Sequence, residues 1–146
     1  RDVLGSRGLG DVYKRQEVIT GLKINDLASM EQAARAIHKM GAKNVLIKGG
    51  HLEDDATDLL FDGENIVTLH SDRINTKNTH GTGCTMSSCI AANLAKGKTA
   101  EEAVRIAKDY ITTAIAHSLD IGKGVGPTNH FYELYTKAGI WDEIKD

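Results

Sequence analysis

The stretch RINTKNTHGTGCTMSSCIAANLA, residues 73–95, decides the fold. Met86, Ile90 and Leu94 recur at four-residue spacing with Cys89 and Ala91 on the same side, which predicts an amphipathic helix from Thr82 to Lys96. Gly97 is placed to end it, because a residue without a β-carbon takes the left-handed conformation of a helix C-terminus. The first-turn amides of such a helix lack intrahelical partners and sit at the positive end of its dipole, so they attract anions. Gly81 and Gly83 let a bulky ligand approach the backbone, and Thr79, Thr82 and Thr85 are expected to add hydroxyl donors. THGTGCT therefore suits a phosphate, or charge developing on one.

Cys84 lies in that first turn, where a thiol is expected to gain thiolate character. The competing reading is a small buried residue, since free cysteine is among the most buried types. That second reading is preferred for Cys89, which has no chemistry-bearing neighbours. At a spacing of five on one helix the two cysteines are expected to face different directions and form no disulfide, which fits a reducing cytoplasm.

Composition excludes several classes. The 146 residues are 40% hydrophobic, enough for one modest core. Eighteen basic and twenty acidic residues give a net charge of −2, so no general field draws the chain to nucleic acid or an anionic membrane. The longest aliphatic run, Val45 to Ile47, is too short to span a bilayer. Six scattered histidines and no C-x-x-C motif give no reason to expect a dedicated zinc site.

Residues 1–16, RDVLGSRGLGDVYKRQ, show neither periodicity and lack the apolar centre of a signal peptide. They resemble an artefactual end, with a flexible native tail as the competing reading, and either way are set aside, leaving 17–146 as the domain. Ser29 and Gln32 are expected to form a capping box opening a helix whose stripe is Ala33, Ile37 and Met40, ended by Gly41. NVLIKGG then reads as a buried strand, with 44–48 central in an α/β sheet. TDLLFDGENIVTL reads as a hairpin turning at Asp62-Gly63. Thr99 and Glu102 form another capping box, before a stripe of Ala103, Ile106, Ala107, Tyr110, Ala114 and Ile115 read as core and not as a ligand site. GKGVGPTNHF, with the single proline, is a turn-rich loop before a short C-terminal helix.

Four motifs, IKGGH (47–51), RINTKNTHGTGCT (73–85), AKDYI (107–111) and GKGVGPTNHF (122–131), together resemble the C-terminal half of bacterial hydroxymethylpyrimidine/phosphomethylpyrimidine kinases, the thiamine-pathway members of the ribokinase-like superfamily. The resemblance implies the C-terminal part of a three-layer α/β/α sandwich. It implies ATP-dependent phosphorylation of 4-amino-5-hydroxymethyl-2-methylpyrimidine and then of its monophosphate, with Mg²⁺ as cofactor, in a cytoplasmic enzyme that is a homodimer when full length. It assigns Gly81, Thr82 and Gly83 to an anion hole for the transferring phosphoryl group. Cys84 becomes the base, standing where the superfamily usually has aspartate.

Lys48, Thr79, Gly126 and Pro127 are assigned by the same resemblance to nucleotide binding, with a solvated lysine at a strand end as the competing reading of Lys48. Asn129 and His130 are read as fixing loop shape. The same resemblance places the family's pyrimidine-binding strands and metal-linked glutamate upstream of the equivalent of Glu17, so Glu17 is not expected to be that glutamate. A fragment of this kind is expected to be inactive alone and to expose a sheet edge. Two rivals remain, a pyridoxal or pyridoxine kinase of the same superfamily and a Cys-His hydrolase using Cys84 with His80 or His51, with a pure binding module as a third reading.

Overall fold

A computed structural model describes residues 17–49 and 56–144. The tail 1–16 and the GGH end of the IKGGH motif, from Gly50, lie outside the described residues. In chain order the elements are α1 (Leu27–Lys39), β1 (Val45–Ile47), β2 (Asp58–Phe61), β3 (Ile66–Leu69), α2 (Thr82–Ala95), α3 (Ala100–Ala116), α4 (Tyr132–Lys137) and α5 (Trp141–Ile144). No helix among the described residues is long and apolar enough to cross a membrane.

The strands form an antiparallel sheet in the order β1-β2-β3, with Leu46 opposite Leu60 and Leu60 opposite Val67. All four residues of β2 are buried because the sheet is covered on both faces. Leu59 and Phe61 pack with Val45, Ile47 and the Met30, Ala33 and Ala34 stripe of α1. Leu60 and Leu69 point the other way, into a cluster with Met86 of α2 and Val104, Ala107, Ile111 and Ala114 of α3. Side-chain alternation along one strand thus separates two cores, and the result is three layers: α1, sheet, then α2 with α3.

Four expectations need correction. The capping box of α1 is formed by Asp26 and Ser29, not Ser29 and Gln32: the Asp26 carboxylate accepts from the Ser29 amide at 2.8 Å while Ser29 Oγ accepts from the Asp26 amide at 3.0 Å. Starting at Leu27 rotates the buried face to Met30, Ala33 and Ala34 and leaves Met40 exposed at the C-cap. β1 is buried as a central strand would be, yet among the described strands it lies at the sheet edge. On α2 only Met86 is buried; Leu94 and Ala91 are exposed, because α3 covers the first half of the helix more than its end. On α3 the buried stripe runs through Val104, Lys108 and Ile111, while Ile106 faces outward.

The hairpin and the second capping box form as expected. Asp62 Oδ1 accepts from the amides of Glu64 at 2.8 Å and Asn65 at 2.7 Å, closing the turn after β2. Glu102 Oε2 accepts from the Thr99 amide at 2.9 Å. These turn and cap bonds favour the charged carboxylates: Ser29 holds Asp26 below the ordinary range, the Asn65 and Glu64 amides do so for Asp62, and Thr99 does so for Glu102. A lowered folded-state value means that the stabilisation is present above the unfolded carboxylate range and is lost as pH falls through the folded values. Melting temperature should therefore drop as pH is lowered below about 4. A variant carrying Asp26→Asn, Asp62→Asn and Glu102→Gln should show a shallower slope over that window in thermal melts; an unchanged slope would remove these three groups from the explanation.

Candidate anion site at the mouth of helix α2

Two loops meet at the start of α2. The His80 amide donates to the Gly126 carbonyl at 3.1 Å, and His80 and Pro127 form a parallel bridge, joining THGTGC to GVGPT. Asn78 is buried beneath this crossing, and a β-carbon built on Gly126 would lie 2.8 Å from Asn78 Cγ and closer still to its Oδ1. Gly126 is thus required by close approach. The loop is anchored to α3 as well: the Asn129 amide donates to the Ala114 carbonyl at 2.9 Å, and the Tyr110 hydroxyl donates to the His130 carbonyl at 2.8 Å. Asn129 Oδ1 accepts from the Phe131 amide at 3.2 Å, the loop-shaping role expected of it.

Gly81 is the N-cap of α2, at a φ of 82°, and no side chain caps the helix. A β-carbon there would be strained by the left-handed backbone, although nothing lies within 4 Å of it. Thr82 and Thr85 donate their amides to Thr79 and Gly81 carbonyls at 3.4 and 2.9 Å. The amides of Gly83 and Cys84 have no acceptor among the described residues, and both face outward at the positive end of a 14-residue helix. The Thr85 hydroxyl does not join them as expected: it donates to the Gly81 carbonyl at 2.9 Å, back along the helix. Thr79 is exposed and contributes its carbonyl.

Cys84 is exposed and Cys89 half-buried, both as free thiols. They form no disulfide and leave the helix in different directions, as expected, yet both line one open groove of about 470 Å³ with Thr85, Ser88 and Tyr110, so Tyr110 is not purely core. Five helical residues turn the second thiol by roughly 140°, an arc that a shallow groove on the outside of α2 can span. Burial pushes the Tyr110 hydroxyl up, with Cys89 and Glu133 adding to the effect.

Lys48 reaches α2 from beneath. Its Nζ lies 2.6 Å from Asp58 Oδ2 and 3.0 Å from Sδ of Met86, in the turn that follows the free amides. Lys108 Nζ lies 3.0 Å from the same Asp58 Oδ2 and donates to the Ala56 carbonyl at 2.5 Å. Asp58 Oδ1 accepts from the Gly49 amide at 3.0 Å, so one carboxylate fastens both the lysine and the glycine that follows it. Sequence reasoning missed Asp58, Lys108 and Asn78. Lys108 carried a signal, as a cation between Val104 and Ile111 on an otherwise apolar stripe, and Asp58 another, as an acid opening the run Leu59-Leu60-Phe61.

The fold and this helix mouth define a ribokinase-like α/β protein, and solved structures of that class superpose on the chain. The pyridoxal kinase of Staphylococcus aureus, in complex with AMP-PCP and pyridoxal, aligns with a TM-score of 0.77 at 36% identity over 82% of this chain and 45% of its own. A phosphomethylpyrimidine kinase of Clostridium difficile aligns with a TM-score of 0.59 at 38% identity over 70% of this chain and 40% of its own. The sequence profile of phosphomethylpyrimidine kinase matches residues 13–129, which reaches into the last four residues of the tail set aside above. The chain belongs to the phosphomethylpyrimidine kinase family. It is 53% identical over 121 residues to the hydroxymethylpyrimidine/phosphomethylpyrimidine kinase of Haemophilus influenzae, covering 79% of this chain and 45% of that protein. The chain spans less than half the length of the curated relatives of that name.

The crossing of the loops can be tested by itself. Gly126→Ala should destabilise the chain by about 1–3 kcal/mol through overpacking against Asn78. Adding Asn78→Ala should restore part of that loss in denaturant titrations. Equal stability of Gly126→Ala and the parent chain would contradict the close approach.

Proposed function

We propose that this chain is the phosphate-handling part of an ATP-dependent kinase that phosphorylates 4-amino-5-hydroxymethyl-2-methylpyrimidine and then its monophosphate. The observation that carries the reading is the mouth of α2, where the unpartnered amides of Gly83 and Cys84 converge with an exposed thiol. Phosphoryl transfer asks chiefly for positioning and for stabilisation of charge on the equatorial oxygens, and fixed helix-end amides supply both. Gly81, Thr82 and Gly83 are assigned to the anion hole, with the Gly83 amide free in this structure and the Thr82 amide on the Thr79 carbonyl at 3.4 Å, long enough to give up. Cys84, one residue further, takes the proton of the attacking hydroxymethyl group in the first reaction; a phosphate acceptor in the second is already anionic and needs no base.

Lys48, Thr79, Gly126 and Pro127 are assigned to the nucleotide. Lys48 approaches α2 one turn from the amides, and Gly126 and Pro127 flank His80 next to Gly81. Mg²⁺ accompanies ATP through phosphates and water more than through a protein cage. The described residues contain no group of three His, Cys, Asp or Glu side chains that could hold a metal, and none is assigned to it. A cytoplasmic homodimer is the form proposed for the full-length enzyme.

Two relatives by structure favour a second reading, a pyridoxal kinase: the Staphylococcus aureus protein is one, and so is a Bacillus subtilis kinase 41% identical to this chain. The pyrimidine reading is preferred because the family profile and the more similar curated relatives carry that name. A Cys-His hydrolase gains no support, since among the described residues no hydrogen bond joins Cys84 to a histidine; His51 lies outside them.

The test uses an enzyme completed with the upstream half of a relative. Cys84→Ala should lower phosphorylation of the hydroxymethylpyrimidine by ~10²–10⁴-fold with little change in ATP affinity, as for loss of a general base. Cys84→Asp should recover part of the rate. Cys89→Ala should leave turnover per folded molecule nearly intact. Normal turnover by Cys84→Ala would remove the thiol from the mechanism, and faster turnover of pyridoxal than of the pyrimidine would favour the second reading.

A further inference from the structure

Asp58 is almost fully enclosed, with 1% of its side chain exposed, and its Oδ2 receives two ammonium groups at once, Lys48 at 2.6 Å and Lys108 at 3.0 Å. A buried carboxylate needs one cation to offset its desolvation; the second is not required for that purpose. The two lysines differ in access. Lys108 is 7% exposed and further held by the Ala56 carbonyl, whereas Lys48 is 28% exposed and has the polarisable sulfur of Met86 as its other close neighbour. Lys108 comes from the middle of α3 and cannot leave without unpacking the buried stripe around it. Lys48 directly follows β1 on a four-carbon stem, beside the first turns of α2.

We propose that Lys48 is an exchangeable counter-ion, released from Asp58 to the phosphate chain of a bound nucleotide while Lys108 keeps the buried carboxylate neutralised. The proposal rests on the kinase reading of the α2 mouth and extends it to two buried residues behind Lys48, Asp58 and Lys108. Without Lys108, departure of Lys48 would strand a buried anion, so Lys48 would stay on Asp58 and be withheld from phosphate. With Lys108 in place the transfer costs little, because the carboxylate keeps a cation and the Gly49 amide on Oδ1 throughout. Asp58 and Lys108 act as positioning residues.

The exchange can be followed in this chain by the rate at which an amine-selective acylating reagent labels each lysine, read by mass spectrometry, with inorganic tripolyphosphate and ATP as probes. Lys108→Met should slow labelling of Lys48 by about tenfold and weaken tripolyphosphate binding by a similar factor, although Lys108 itself is only 7% exposed. Lys108→Arg should restore both. Asp58→Asn combined with Lys108→Met should free Lys48 again and return labelling to the parent rate or above, which a purely structural role for Lys108 would not produce. Labelling of Lys48 that is unchanged by Lys108→Met overturns the exchange.

Should Lys108→Met fail to fold, the parent chain decides: tripolyphosphate must protect Lys48 and leave Lys108 as slow as before, and equal protection of both lysines overturns the proposal. If ATP protects Lys48 while the Lys108 variants have no effect, the exchange fails and the kinase reading stands. If the Lys108 variants behave as expected while neither tripolyphosphate nor ATP protects Lys48, the kinase reading of the site fails and the phosphate half of the exchange falls with it.

Discussion

The buried carboxylate of Asp58 ties together parts of the chain that secondary structure alone leaves separate. It opens β2, receives Lys48 and the Gly49 amide from the end of β1, and receives Lys108 from α3. Through Lys48 the same group reaches Met86 and hence α2. Hydrophobic packing holds the helices against the sheet, but it is non-directional and does not set how far α2 sits from Lys48 and Gly49. Charge-assisted hydrogen bonds have direction, and breaking a buried pair by removing one partner costs about 3–5 kcal/mol. The placement of Lys48 and Gly49, β2 and α3 relative to one another is therefore fixed beside the candidate anion site.

The second fixed point is the crossing of residues 78–81 and 126–129. The bond from His80 to Gly126 and the packing of Gly126 on Asn78 bring the proline loop against the residue that starts α2. Tyr110 and Ala114 hold the far side of that loop from α3. The left-handed Gly81 then turns the chain into the helix with its first free amides outward. The anion binding proposed for this mouth would follow from backbone geometry, with the cysteine an addition to it. That division explains why the site reads as a phosphate site first and as a thiol site second.

Much of this was legible before any coordinates. Glycine-flanked polar residues before an apolar period predicted the start of α2 at Thr82, which the structure has, and Asp62-Gly63 predicted the hairpin. Thr99 and Glu102 announced α3 because a capping box is a local interaction, complete within four residues. Errors arose where long-range packing chose between local options. Asp26 and Ser29 both suit an N-cap, and Asp26 wins because it turns Met30, Ala33 and Ala34 toward the sheet. The stripe of α3 includes Lys108 because a buried aspartate fifty residues earlier faces it, a partner that periodicity cannot show. Thr85 looked like a ligand donor, but in a first turn its hydroxyl has a nearer acceptor in the Gly81 carbonyl.

The central claim is that the mouth of α2 binds phosphate through its backbone. Its most direct measurement is an amide chemical-shift titration of the chain with tripolyphosphate at fixed ionic strength. The account predicts saturable shifts concentrated on Gly81, Thr82, Gly83 and Cys84, with smaller ones at Gly126. Shifts scattered over exposed lysines, with those four amides unmoved, would contradict it.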